Sequence, residues 1–362
     1  MTVTATAPRL AGTASGINNG HLGRWVPWAL LAASIVVFLP VFLMLASISG
    51  EGLNIAGWLI TAALVYLVLI FTISAIVEGR RKAVDRLVTG VVTAAFVVAM
   101  VPLVSVGWTV IELGVHRFDA MFFSSSMRNV VGEGGGVIHA VWGTLLITLA
   151  AAIISIPIGL MTAIYLVEYG RGRLARAITF LVDVMTGIPS IVAGLFAYAL
   201  FALFFGAGVR LGFMGSIALA VLMIPVVVRS SEEMLRLVPN ELREAAYALG
   251  VPKWLTIVKV VLPTAIAGIT TGIMLSISRV IGETAPLLIT AGFTDSLNLN
   301  LFDGRMQTLP VFVYSQYANQ GIPPEAYWDR AWAAALTLIL IVMLLNLLAR
   351  LIAKIFAPKT GR

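Results

Sequence analysis

Two arginines stand where an apolar chain rarely places them. Arg279 lies inside a long hydrophobic run with Glu283 four residues on, and Arg229 closes another run just before Ser230 and Ser231. A charged side chain near the centre of a bilayer costs roughly 2.5–3.5 kcal/mol on insertion scales, so it is normally paired or put to use. The i, i+4 spacing predicts that Glu283 holds Arg279 on one helical face. A guanidinium presents a planar fork of donors that suits an oxyanion. A path for such an ion must also release it, and a neighbouring carboxylate serves that need. Ser190, in GIPSIVAG at 187–194, adds a hydroxyl. Blander readings cover the same residues: a structural Arg279–Glu283 ion pair between spans, and an Arg229 that snorkels to the interface.

Other chemistries are absent. With no cysteine there is no disulfide, thiolate zinc site or cysteine nucleophile. His21, His116 and His139 are scattered without metal-ligand spacing. No Gly-Lys dipeptide occurs, so the chain has no P-loop and cannot bind and hydrolyse ATP by that route.

The elements that must position these residues are membrane helices. The 362 residues are 60% hydrophobic and 11% charged, with a mean hydropathy of +1.00, far from a soluble domain. Apolar runs long enough to cross about 30 Å of hydrocarbon begin near Val26, Ile55, Leu87, Val137, Ala175, Met214, Val261 and Trp332. That predicts about eight transmembrane helices. Taking the loop EGRRKAVDR at 78–86 as cytoplasmic puts 18 Lys and Arg on its side and 5 on the other, with Arg279 inside a span. The positive-inside rule then places both termini in the cytoplasm. The net charge of +7 reflects that asymmetry and does not call for nucleic acid.

Residues 1–24 read as a disordered cytoplasmic tail before an uncleaved first span, and 25–111 as three helices of lipid-facing or packing character. An extracytoplasmic loop follows at 112–136. Five spans form the core at 137–356, and 357–362 are a short cytoplasmic tail. Pro157, Pro189 and Pro225 fall within core spans, where each removes a backbone bond and bends its helix. The freed carbonyls must be buried in protein or face a watery cavity. The second outer loop, about 291–331, carries Asp295, Asp303, Arg305 and Asp329 and is large enough to dock a partner.

Between two spans lies ELREAAYALGVPKWLTIVKVVLP, residues 241–263. Asn240 can cap a helix from its N-terminal side. Leu242, Ala245, Ala246 and Leu249 then share one apolar face. Gly250 suits the position past a helix end and Pro252 the first turn of the next helix. The segment predicts helix, tight turn, helix. An amphipathic hairpin on the membrane surface would satisfy the apolar pattern alone. The spacing is more specific: Glu244-Ala245-Ala246, Gly250 four residues on, Val260, then Leu262-Pro263 resembles the EAA loop of ABC-importer permeases, with Val260 where that family has Ile.

GGGVIHAVWGTLLIT (134–148), IPSIVAGL (188–195), PVVVRSSEEMLRLVP (225–239), SRVIGETAPLLITAG (278–292) and LPVFVYSQYA (309–318) narrow the likeness. Over roughly 95–356 the chain resembles the A-type (PstA) permeases of phosphate-specific ABC importers. The two spans before residue 87 depart from that family's six-span pattern. The resemblance implies an all-α polytopic protein of the plasma membrane with the type I ABC-importer permease fold, and no enzymatic activity of its own. It assigns Leu242, Glu244, Ala245, Ala246, Leu249 and Gly250, within the loop 240–263, to a coupling helix seated in a groove of the ATPase. It implies a homologous second permease (PstC type), two ATPase subunits (PstB type) that bind ATP and Mg, and an extracytoplasmic phosphate-binding protein (PstS type) that sets most of the specificity. Arg279, Glu283, Arg229 and Ser190 would then line a phosphate path. An importer of molybdate, tungstate or sulfate, an ion-driven secondary transporter, and a non-transporting phosphate-signalling scaffold are the alternatives.

Overall fold

A computed structural model describes residues 21–50 and 52–356, all of its regular structure helical. Residues 1–20 and 357–362, most of the two expected tails, lie outside the described residues. The chain divides into two compact units, residues 1–106 and 107–362.

The first unit holds α1 (Val26–Ser49), α2 (Ile55–Val77) and most of α3 (Arg80–Gly114). Asn54 caps α2 by accepting from the Gly57 N–H at 2.8 Å. Trp58 Nε1 donates to the Ile35 carbonyl at 3.0 Å, tying α2 to α1. At the turn into α3, Glu78 accepts from Arg86 Nε at 2.6 Å, from Ser74 and from the Leu22 N–H. The end of the expected N-terminal tail is therefore anchored. Chiefly because of the Arg86 hydrogen bond, the Glu78 carboxyl is held well below the usual carboxylate range.

The second unit contains α4 (Ala120–Ser124), α5 (Ile138–Ile164), α6 (Arg173–Thr186), α7 (Ser190–Phe205), α8 (Gly212–Arg236), α9 (Asn240–Ala248), α10 (Lys253–Thr256), α11 (Leu262–Val280), α12 (Ala285–Thr290), α13 (Leu309–Ala318) and α14 (Pro324–Phe356). A π-helical turn continues α5 at Tyr165–Tyr169, and another joins α10 to α11 at Ile257–Val261. Helix α8 is central. Its Leu219, Met223 and Val227 share a core with Ile147 of α5, Val280 of α11 and Leu287 of α12. Small residues let the backbones close up: a Cβ on Gly159 of α5 would sit 2.6 Å from Val227 Cγ1, and one on Gly272 of α11 would sit 2.5 Å from Ser230 Cβ.

Among the described residues, seven helices are long and apolar enough to cross a membrane, and the bent pair α6–α7 adds an eighth if it counts as one span. The run expected as one fifth span from Ala175, bent at Pro189, is instead broken into two helices at 110°. The 14 residues of α6 reach only ~21 Å, short of the hydrocarbon thickness. Pro189, the residue before α7, has no N–H to donate and disfavours helix in the residue ahead of it. Hydropathy summed over a window cannot register such a break. The last span likewise begins at Pro324 rather than near Trp332, and the outer loop 291–331 contains α13.

Candidate functional site

The antiparallel packing of α8 and α11 fixes the depth of Arg279. Gly272 lies against Ser230 and Gly268 against Met234. Seven residues beyond Gly272 on α11 correspond to seven before Ser230 on α8. Arg279 is therefore level with Met223, in the middle of α8, and Met223 and Val280 share one core. Here α11 ends: Val280 is its last residue, and α12 begins at Ala285. The unwound stretch Ile281–Thr284 thus sits at mid-height, where irregular backbone is tolerated only if buried in protein or lining a cavity.

The expected pairing of Arg279 with Glu283 does not form, because the helix stops before the i+4 position can come round. The Glu283 N–H instead turns back to the Val280 carbonyl at 3.1 Å. Arg279 is exposed at the surface of the isolated chain, and no carboxylate among the described residues pairs with it.

A second broken segment packs on the same core. Ile188, inside the α6–α7 break, lies against the cluster containing Val280 and Leu287. Helix α7 meets α12 at Gly194, where an added Cβ would lie 2.6 Å from Pro286 Cα. Ser190 heads α7, at the mouth of that break. IPSIVAGL and GETAPLL, distant in sequence, are thus brought together. Gly194→Val is expected to force α7 and α12 apart and, as an overpacked core contact, to destabilise by about 1–3 kcal/mol. A fall of the thermal transition of the detergent-solubilised protein, absent for Ala199→Val on the exposed side of α7, would check it.

Arg229 is not a free cation. It pairs with Asp183 of α6 and, at 2.8 Å, with Glu232, which also holds Arg236 at 2.7 Å. Sequence distance hid Asp183, 46 positions away, and two of the carboxylate contacts lie one turn apart on α8 itself. This cluster borders a cleft of about 360 Å³ between α6 and α8. Its charges are internally balanced, so Arg229 clamps the bent pair to the central helix.

The segment 240–263 folds as helix, turn, helix. Gly250 takes φ +75°, the left-handed conformation that glycine adopts without strain. Asn240 does not cap from outside; it is the first residue of α9, which Pro239 precedes without a side-chain cap. Pro252, likewise, stands just before α10. Leu242 and Leu249 are exposed, Leu249 by 83%, while Ala246 is buried. An apolar face is thus presented outward.

What anchors this helix is Arg243, which the sequence reading passed over. Its guanidinium donates to Glu168 in the π turn after α5 at 2.9 and 3.0 Å, and to the Leu235 and Val238 carbonyls at the end of α8. The Arg243 and Glu168 side chains are only 12% and 5% exposed. Lys253, beyond the turn, bonds to the Glu168 carbonyl and lies 4.8 Å over the Tyr169 ring. Arg243 lies in the loop 240–263, immediately before Glu244, so its place was legible; its partner, 75 residues earlier, was not.

At the other end of the core, His139 of α5 meets Gln307 at 3.2 Å and Thr144 accepts from the Leu309 N–H at 2.7 Å. Arg330 is buried and donates to the Gly132 and Gly134 carbonyls and to Gln316. These bonds fasten the outer-loop segments to α5, α13 and α14. No cluster of three metal-ligating side chains occurs among the described residues.

Comparison with known proteins gives the chain's relatives. Residues 155–362 match the family model described as "Binding-protein-dependent transport system inner membrane component". The "Phosphate transport system permease protein PstA 1" of Mycobacterium tuberculosis (strain CDC 1551 / Oshkosh) is 50% identical over 263 residues, covering 72% of this chain and 85% of that protein. The Mycobacterium leprae (strain TN) permease PstA is 49% identical over 268 residues, 73% of this chain and 86% of its own. That of Pasteurella multocida (strain Pm70) is 38% identical over 264 residues, 72% and 90%. Among solved structures, a chain of a bacterial alginate ABC transporter, in complex with its pentasaccharide-bound periplasmic protein, superposes with a TM-score of 0.53 at 13% identity, over 77% of this chain and 97% of that one. A chain of the inward-facing MetNI methionine ABC transporter gives 0.51 at 20% identity, over 61% and 96%. At those identities the structural likeness speaks for the fold alone.

Proposed function

The chain belongs to the binding-protein-dependent transport system inner membrane components, and from that premise we propose how it works as a permease subunit of a phosphate ABC importer. The observation that carries the substrate is the 50% identity over 263 residues to a phosphate permease.

In this reading α9 faces the cytoplasm, as do both termini, in keeping with the excess of Lys and Arg on that side. Its exposed Leu242 and Leu249, with Glu244, Ala245 and Ala246 beside them, seat in a groove of an ATPase subunit of the PstB type, which holds the ATP and Mg. Gly250 sets the turn that keeps the element compact. A homologous permease of the PstC type covers the surface where Arg279 emerges, since an unpaired guanidinium at mid-depth does not face lipid. A binding protein of the PstS type delivers phosphate from outside.

Arg279 attracts the ion between the two permeases. The unwound Ile281–Thr284 offers backbone groups beside it, a device that broken membrane helices use to meet ions at mid-membrane. Glu283, free of Arg279, is placed to compensate that charge after the ion has left. Ser190, on the facing broken segment, supplies a neutral hydroxyl. Arg229, neutralised by Asp183 and Glu232, holds helices together instead of binding substrate.

Labelled phosphate uptake at low external phosphate tests the reading in cells lacking this gene. Wild type restores uptake, and excess sulfate, molybdate or tungstate does not compete. Failure to restore, or competition by one of those anions as strong as by unlabelled phosphate, overturns the assignment of substrate.

A further inference from the structure

At the end of α8 opposite α9, ~37 Å away by helix rise, lies a groove of about 500 Å³ between α7 and α12. Its walls are apolar, chiefly Leu195 and Leu288, and its polar residues are Tyr198, Arg210 and Arg305. The two arginines come from different segments: Arg210 from the α7–α8 connection and Arg305 from the loop before α13. Both reach Gly292, where a Cβ would lie 3.0 Å from Arg210 Cδ and 3.6 Å from Arg305 Cδ. Gly292 has φ +72°, and the Met306 N–H bonds to the Ala291 carbonyl at 3.1 Å, which closes the loop and holds Arg305 in place. Asn298 braces the same loop by donating to the Asp303 and Arg305 carbonyls.

No carboxylate among the described residues pairs with either arginine, and Asp295 and Asp303 of the same loop do not line the groove. Two guanidiniums so placed repel each other beside apolar walls that weaken solvent screening. Tyr198 accepts the Gly208 N–H on its hydroxyl oxygen at 2.9 Å, which leaves its own proton to donate. The groove therefore offers donors and positive charge, with no carboxylate in its lining.

We infer that Arg210, Arg305 and Tyr198 form an entry subsite for a tetrahedral oxyanion, which receives inorganic phosphate before it reaches Arg279. This rests on the phosphate-importer reading and deepens it. With two guanidiniums and no carboxylate, the subsite selects by charge and size. It differs from Arg279 in depth, being at the mouth of the path.

The test uses the complete importer in vesicles, with inorganic phosphate as the ion and phosphate-loaded binding protein titrated outside. Arg210→Gln plus Arg305→Gln is expected to lower maximal uptake at least about tenfold, the least that a single charge-assisted contact carries. The concentration of loaded binding protein giving half-maximal uptake stays unchanged. Arg210→Lys plus Arg305→Lys retains most of the uptake. Raising ionic strength slows wild type more than it slows the double Gln variant. A raised half-saturating concentration at unchanged maximal uptake overturns the subsite in favour of a docking contact. Equal failure of the Lys and Gln variants, with less assembled importer, reduces the arginines to a folding role, and wild-type rates in the Gln variant remove them from the path. Wild-type vesicles that take up no phosphate overturn the parent reading instead, before any variant is compared.

Discussion

Arg279→Ala is expected to lower phosphate uptake about thirtyfold or more, with the protein still present at wild-type level in the membrane. A guanidinium forming charge-assisted bonds to an oxyanion contributes about 2 kcal/mol or more where water is scarce, which is about thirtyfold in rate. Loss of stability does not explain such a drop: Arg279 is exposed in this chain and pairs with no carboxylate among its described residues. Removing it therefore leaves no buried charge behind. Arg279→Lys is expected to fall between, since an ammonium keeps the charge but lacks the planar fork. Uptake of labelled phosphate, normalised to immunoblotted protein, reads all three. If Arg279→Ala matches wild type, the ion takes a path that avoids this side chain.

The second large effect is expected at Arg243. Arg243→Gln leaves Glu168 as a nearly buried carboxylate without its cation, and breaking such a pair from one side costs about 3–5 kcal/mol. That strain falls on the joint between α9 and the ends of α5 and α8. Transport is expected to drop more than about tenfold, while ATP hydrolysis by the assembled importer no longer rises with loaded binding protein. Arg243→Gln combined with Glu168→Gln, which removes both charges and keeps both shapes, restores part of the coupling. Unchanged stimulation in Arg243→Gln overturns the role given to this pair, and a double variant no better than the single one shows that the contribution is packing alone.

Much of the fold was legible because hydrophobic length is a local property. The starts of α1 and α2 agree with the apolar runs, and Gly250 adopts the conformation its place in the motif requires. What escaped was of two kinds. Breaks inside apolar stretches, at Gly187–Pro189 and at Ile281–Thr284, leave average hydropathy high. Pro189 and the Gly282 to Pro286 segment were the available signals, and the first was noticed only as a kink. Partners far apart in sequence were the other kind: Asp183 for Arg229, Glu168 for Arg243, Arg305 beside Arg210. Each arginine was visible, but charge balance depends on which helices meet, and α6 meets α8 only because α6 bends away from α7. The Arg279–Glu283 expectation failed for a related reason. Spacing of four implies proximity only while the helix continues, and α11 ends one residue after the arginine.

Two π-helical turns stand where α5 ends and α11 begins: Tyr165–Tyr169, whose Glu168 holds Arg243, and Ile257–Val261. A π turn carries one residue more than the α-helical turn it replaces. That surplus is stored slack: taking up or releasing the one extra residue changes the phase between the two sides of the turn by about 100°. In the proposed coupling, a push on α9 would meet these two turns before it reached the α-helical parts of α5 and α11.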